Sequence, residues 1–492
     1  MQIDVRATER LRAKNPVDLG AILQSVTNAV RDSSIDLTRL RITCDWVQYR
    51  QNFREIVDVR NIVPSFLQAS DGVDIYELAV DMRRAGGVED FYGLTTSALS
   101  RLTNGGSNGN QYLEDWRPGS SSLIWDFNGL YWNALGFWEE ATGKEYEQAL
   151  PGGESDARNS AAAHEIIEGL FKVWDQLAAR KALPEDLHIL ELGVGNGNQA
   201  KVWLDEFLRM DREHHGDYYR RLHYLMADYS PHVLERAREN VKEHAGRCSS
   251  LVLDARVPTQ TLGFLRSKAF LIYISNVYDN LPSDEIVRIG GHTYLVEVRA
   301  YIAESAVPEI AASIGVKPDE LPALTRRLLQ LGPELLSQAD SAHFPNGPLD
   351  AVAFWQKVWD AVRLEERYVA MEELDSYQIG GGVSGEALRP IITAIGDIRM
   401  HVSNGAAASF VDSLPLLHPF GQLQCHDIFV TESSQYERSF RGPGKYDGSV
   451  VNWVNGPLLA AIGRRHGFEA DFVPFVHRSG SNIMTLVARV QE

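Results

Sequence analysis

The segment Leu187-His-Ile-Leu-Glu-Leu-Gly-Val-Gly-Asn-Gly197 constrains the chain more than any other. A short apolar run ends in an acid and then in three glycines at alternate positions. Apolar-periodic residues follow from about Gln199 to Phe207. That order predicts a buried strand, a tight turn and a helix. Glycines at such a turn let a ligand approach where a Cβ would block it. The helix N-terminus should add N–H donors that suit the carboxylate of an amino-acid ligand. Glu191, placed before the turn, can accept hydrogen bonds from a ligand or a nearby amide. A tight turn without a ligand is the competing reading.

Further apolar runs follow at Leu222–Ala227, Ser250–Leu253, Phe270–Ser275 and Leu423–Val430, with helical patterns between them. Runs alternating with helices predict an α/β fold with a parallel sheet covered on both faces. The second run ends at Asp228 and leads into Tyr229-Ser-Pro231, where Ser230 can cap a helix that Pro231 begins. The third ends at Asp254-Ala255. A carboxylate at the second strand end can hold two ribose hydroxyls, and Asp254 ends the third run with another acceptor on the same side. After the fourth run comes Asn276-Val-Tyr-Asp279-Asn-Leu-Pro282. Ligand crevices of open α/β sheets lie beyond the carboxyl ends of strands, so Asn276 and Asp279 fall where a reacting group would sit. Asp279 could orient a substrate nitrogen or take its proton, or could instead cap the next helix. Two last runs, Phe468–Phe475 and Ile483–Val490, predict an antiparallel hairpin after a helix at Pro457–Arg465 closed by His466-Gly467.

At 492 residues there is room for several units. Residues 1–150 read as a helix-rich N-terminal region, with Asp18 preceding one helical stripe and Ile75, Leu78, Ala79 and Met82 on a second amphipathic stretch. Asn104–Asn110 is a loop by composition, and Pro151-Gly-Gly-Glu-Ser-Asp is a boundary. Trp116, Trp125, Trp132 and Trp138 suit an inter-domain core better than an aromatic cage. Residues 155–300 and 411–492 form the two parts of the sheet domain, and 301–410 reads as a helical insertion or lid. Arg441–Gly448 reads as a mobile surface loop on the ligand face and lacks the residues of a P-loop.

Other chemistries fail on their residues. A dinucleotide site wants Gly-x-Gly-x-x-Gly, but Asn198 holds the third position. His164-Glu-Ile-Ile-Glu168 lacks the second histidine of a zincin, and His214-His215 suits a solvated face, so no metal is expected. Cys44, Cys248 and Cys425 are too far apart for a clustered-thiolate site. A formal charge of −18 opposes binding to a phosphate backbone, so nucleic acid is not the expected partner. Without a long apolar run or an apolar N-terminal stretch, no membrane span is expected and the compartment expected is the cytoplasm.

With these residues in place, 160–300 and 420–492 resemble the class I S-adenosylmethionine-dependent methyltransferases, whose Rossmann-like sheet has seven strands and ends in an antiparallel hairpin. The resemblance implies S-adenosyl-L-methionine as cofactor, held by Glu191, Gly193, Gly195, Gly197, Asp228, Tyr229, Asp254, Ala255 and Asn276, with Asn276 and Asp279 as catalytic candidates. The acceptor would be a protein side chain or a small molecule. Within the class the chain is most similar to the MidA-like family, linked to assembly of respiratory complex I. That family shows Glu-hydrophobic-Gly-x-Gly-x-Gly, acid-x-Ser-Pro and a helical insertion before the fifth strand. Its Asn-acid-x-x-Asp-Ala-x-Pro segment departs here, with Val277 in the acid's place and Asp279-Asn280 for Asp-Ala, so the family's protein-arginine methylation does not carry over. An assembly protein that binds the cofactor without turnover and a nicotinamide oxidoreductase are the alternatives.

Overall fold

In the computed structural model, which describes residues 2–5, 18–45, 47, 49–63, 75–103, 109–146, 159–396, 398–437, 442–478 and 480–491, the predicted runs assemble into one seven-stranded sheet. Its strands are β1 (Leu187–Leu192), β2 (Leu222–Asp228), β3 (Cys248–Val252), β4 (Ala269–Ser275), β5 (Leu417–Asp427), β6 (Phe468–Pro474) and β7 (Met484–Val490). They lie in the order β6-β7-β5-β4-β1-β2-β3. β1 to β5 pair in parallel, while β7 runs antiparallel to both β5 and β6. Strand order therefore reverses between β1 and β4, which creates a crevice at their carboxyl ends. This is the Rossmann-like class I methyltransferase fold.

Burial on both faces explains why the central strands β1, β2 and β4 read as continuous apolar runs. One face packs on α1 (Ser160–Ala179), α2 (Asn198–His214) and α3 (Pro231–Asn240), with Trp174, Trp203, Phe207 and Leu234 against Ile189, Tyr224 and Phe270. Asn159 caps α1 by accepting from the amides of Ala161 and Ala162, and Ser230 caps α3 by accepting from Val233. The other face carries Leu190, Leu192, Ile272 and Ile274 against α4 (Asn404–Ser413) and α5 (Gly456–Arg465).

The N-terminal region holds the helix expected after Asp18, Leu19–Asp32, and three more at Phe91–Thr103, Ile124–Asn133 and Leu135–Thr142. It also contains a four-stranded sheet of Gln2–Val5, Leu40–Asp45, Val57–Val63 and Ile75–Asp81. The stretch with Ile75 and Leu78 is thus a strand, not an amphipathic helix. It lies between two neighbours in the sheet and buries Glu77, Leu78, Ala79 and Val80 on both faces, so no alternation betrays it. The composition loop at Asn104–Asn110 falls mostly, and the boundary at Pro151–Asp156 wholly, outside the described residues.

The insertion starts before residue 301 and is not purely helical. Strands Glu285–Ile289, His292–Ile302, Val362–Ala370 and Ile398–His401 form a second, antiparallel sheet, which Gln111–Tyr112 and Arg117–Pro118 extend. Helices Val307–Ile314, Leu321–Ala339 and Pro348–Ala361 pack on it. A buried ionic cluster joins it to the N-terminal region. Glu366 lies 3.1 Å from Arg54, 3.5 Å from Arg60 and 2.9 Å from Arg399. Burial works against the Glu366 carboxylate, but the three guanidiniums outweigh it and hold its pKa well below the usual range.

The segment expected to be a mobile surface loop is tied down where it is described, and Arg441 lies outside the described residues. Lys445 is 7 % exposed and donates to the carbonyls of Trp359, Asp360 and Val362 at the end of helix Pro348–Ala361. Asp447 accepts from the Tyr131 hydroxyl at 2.8 Å and the Trp138 indole at 3.1 Å. Trp138 packs edge-on to Trp355 at 4.6 Å, which makes it a core residue. Trp125 and Trp132 remain partly exposed.

Candidate active site

The strand ends open into a single cleft of about 1850 Å³. Glu191, Gly193, Gly195, Asp228, Tyr229, Asp254, Ala255, Asn276 and Asp279 all line it. Four strands deliver them to the same end of the sheet because β1 to β4 are parallel and in register.

The glycine turn shows why side chains are excluded. Gly193, Gly195 and Gly197 have φ of +76°, +57° and +79°, a region that L-residues with a Cβ rarely enter. A Cβ on Gly193 would run into the Val277 side chain, and one on Gly195 would stand 2.5 Å from the Tyr146 hydroxyl. Gly197 does not line the cleft. A Cβ there would sit 2.7 Å from Ala237 Cα, so its absence lets α3 approach α2. It serves the packing of these two helices and stands apart from the cleft-lining residues expected to hold a ligand.

The turn's own amides are largely spent on the fold. Gly193 and Val194 donate to the Ala227 carbonyl, Gly195 to Asp228 Oδ2 at 3.1 Å, Gly197 to the Val194 carbonyl and Asn198 to Asn196 Oδ1. The turn itself therefore offers a ligand few amides, and the donors expected at the helix start fall to its first residues beyond Asn198.

Asp228 also takes the Ser230 amide on Oδ1 at 3.0 Å. Burial raises its pKa against these amides. Each of its oxygens keeps further acceptor capacity for a ligand hydroxyl. Glu191 is 2 % exposed and accepts from the Tyr224 hydroxyl at 2.6 Å. Burial pushes its pKa up to about 8, so it holds a proton near neutrality and can donate as well as accept. Asp254 is engaged by Arg256, whose Nε lies 3.0 Å from both carboxylate oxygens and whose Nη2 lies 2.6 Å from Oδ2. Burial raises the Asp254 pKa, yet the Arg256 hydrogen bonds outweigh it and the net direction is down. The pair, rather than a lone acceptor, edges this end of the cleft.

At the opposite end, Asn276 has a left-handed φ of +52°, which asparagine tolerates, and donates its amide to the His426 carbonyl. The chain then turns through Tyr278–Asn280. Asp427, at the end of β5 and fully buried, accepts the amides of Tyr278 at 2.9 Å and Asp279 at 3.2 Å. Asp279 is 8 % exposed and accepts from Asn280 Nδ2 at 2.7 Å. Burial raises it to about 6, and burial together with the Asp279 charge raises Asp427 well above the carboxylate range. Two buried carboxyls that face each other hold one proton between them. The Tyr49 hydroxyl faces this pair, buried and without a hydrogen-bond partner among the described residues.

Asp427 escapes the sequence reading, although the strand-end acid rule that selects Asp228 and Asp254 applies to it equally. Tyr49, Asn128 and Tyr146 also line the cleft and come from the N-terminal region, where no motif marks them. Asn128 bridges the carbonyl of Asn280 and the amide of Val450. His164 pairs with Glu206 and His214 with Asp175 on the surface, and no metal-ligand cluster occurs among the described residues. Among the described residues no helix is long and apolar enough to cross a membrane.

Comparison with known proteins gives a match over part of the chain. Residues 166–378 match the model of a family described, as an assignment rather than a demonstrated activity, as S-adenosyl-L-methionine-dependent methyltransferases. No curated protein matches the chain. Among solved structures, a superfamily member from Burkholderia thailandensis, described as a methyl transferase candidate and bound to S-adenosyl-homocysteine, is 12 % identical. The alignment covers 80 % of this chain and 91 % of that one at a TM-score of 0.44. The CcbJ methyltransferase from Streptomyces caelestis is 10 % identical, covering 70 % and 95 %, at a TM-score of 0.31. Those scores carry no argument about activity. The seven-stranded sheet with its terminal hairpin is the class I S-adenosylmethionine-dependent methyltransferase fold, and the family model matches the part of the chain that carries its first four strands.

Proposed function

We propose that the chain is an S-adenosylmethionine-dependent methyltransferase whose acceptor is a protein side chain or a bulky small molecule. The observation that carries this reading is the convergence of Glu191, Gly193, Gly195, Asp228, Tyr229, Asp254, Ala255 and Asn276 on one cleft at the strand ends. The residues fit the cofactor: a turn that no Cβ can enter lies beside an acid able to hold a ribose, with a second acid-bearing edge for the base. Bound there, the cofactor supplies a methyl group already activated as a sulfonium. The protein is left to align the nucleophile, exclude water and manage one proton.

Asp279 is the group we assign to that proton. Its position beyond β4, its partner Asp427 and its pKa near 6 suit a base that is ionised at neutral pH. The cleft is larger than the roughly 300–1000 Å³ of a small-molecule pocket, which leaves room for an acceptor beside the cofactor. Its outer wall comes from the N-terminal region and from helix Leu321–Ala339. The narrower MidA-like likeness rests on the sequence segments alone, and the Val277 side chain against Gly193 replaces that family's acid with an apolar contact. That replacement favours, as a second reading, cofactor binding without turnover. Transfer of a labelled methyl group from the cofactor to any component of a cell lysate separates the two. Transfer that survives Asp279→Asn undiminished removes the role given to Asp279.

A further inference from the structure

The cofactor end of the cleft has a roof that the family match does not include. Helix Leu135–Thr142 lies on the first turn of α3, so closely that a Cβ on Gly136 would stand 3.0 Å from His232 Nε2. Glu139 reaches in two directions from this helix. Its Oε2 is 2.6 Å from Arg236 Nη1 on α3, and its Oε1 accepts the Tyr146 amide at 3.0 Å. The Tyr146 ring also meets Trp132 edge-on at 5.7 Å. Two contacts, to Glu139 and to Trp132, thus fix where Tyr146 goes, and its hydroxyl stands against Gly195.

The chemistry of the turn gives that hydroxyl a purpose. At least five of the six amides from Gly193 to Asn198 are consumed by the fold itself. An amino-acid carboxylate lying over Gly195 therefore finds few donors in the turn itself, and a buried anion without enough donors is costly. Resting on the reading of the cleft as a S-adenosylmethionine site, we propose that Tyr146 is a cofactor-binding residue contributed by the N-terminal region. Its hydroxyl donates to the amino-acid end of the cofactor above Gly195, and Glu139 and Arg236 are its positioning residues. The N-terminal region then completes the cofactor site, in addition to walling the acceptor side. Tyr146 precedes the matched residues 166–378, so no family model assigns it.

Calorimetric titration of the full chain with three ligands tests this: S-adenosylmethionine, S-adenosylhomocysteine and 5′-methylthioadenosine, the last lacking the amino-acid end. Tyr146→Phe removes one oxygen and keeps the ring. It is expected to weaken the first two ligands by roughly tenfold, as a hydrogen bond to a charged group is lost, and to leave methylthioadenosine unchanged. Glu139→Gln is expected to show the same selectivity with a smaller factor. Equal weakening of all three ligands, or no weakening of any, overturns the proposal. Failure of the wild type to bind S-adenosylmethionine overturns the reading of the cleft as well, and is a separate result. A thermal midpoint for each variant within a few degrees of wild type shows that the comparison is made on folded protein.

Discussion

Replacing Asp279 by asparagine separates two consequences of one buried carboxyl. Burial moves its pKa from 3.8 to about 6, whereas in the unfolded chain it titrates near ~3.9. Because the folded value is the higher, the folded protein keeps a proton that the unfolded chain has released in between. Its contribution to stability is full below about pH 4 and is lost as pH rises through about 6. At roughly 1.4 kcal/mol for each pH unit, that interval amounts to about 3 kcal/mol. Asp279→Asn carries no charge at any pH, so it should gain on the wild type by up to about 3 kcal/mol between about pH 4 and about pH 7. The groups that face it are Asp427, Tyr49 and Asn280, and burial together with the Asp279 charge pushes the Asp427 carboxyl well above the usual range. Denaturant titrations of both proteins across pH measure the difference. Turnover should move the other way. The wild-type rate should rise with pH through about 6, and the variant should lose roughly a hundredfold or more together with that limb. A stability difference that is flat in pH, or a variant that keeps the acid limb, refutes the assignment of the proton to this pair.

Three further substitutions test the supports of the site. Gly197→Ala places a Cβ 2.7 Å from Ala237 Cα at a φ of +79°, and should cost about 2–4 kcal/mol in thermal unfolding. Lys445→Met leaves the carbonyls at the end of helix Pro348–Ala361 without their buried donor, with an expected loss of about 2–4 kcal/mol by denaturant titration. Glu366→Gln strands Arg54, Arg60 and Arg399. It should cost about 3–5 kcal/mol and raise amide exchange in strand Val57–Val63. Because the Glu366 pKa is depressed, its contribution is present above ~4.3 and fades as pH falls.

The sheet domain is legible in the sequence because its central parallel strands β1, β2 and β4 are buried on both faces. Leu187–Leu192 is read to the residue, and β2, β3 and β4 to within two. Caps at Asn159 and Ser230 are legible for the same local reason, a side-chain oxygen one residue ahead of an apolar period. The second sheet is harder to read. Strand His292–Ile302 does alternate, with Tyr294, Val296, Val298 and Ala300 buried. Its partners, however, lie as far away as Val362–Ala370 and Arg117–Pro118, and no local pattern records such pairings. The same holds for the site. Residues next to the glycine turn or at strand ends can be found from spacing. Tyr49, Asn128 and Tyr146 reach the cleft through tertiary packing alone. Gly197 shows the converse, since a glycine in a ligand-binding motif serves the contact between α2 and α3.

Calorimetric titration of the wild type and Asp228→Ala with S-adenosylmethionine bears most directly on the account. One molecule bound per chain, with binding abolished or weakened at least tenfold by the substitution, is the expected result. A wild type that takes up no cofactor, or a variant that binds it equally well, contradicts the placement of the cofactor between the glycine turn and the end of β2.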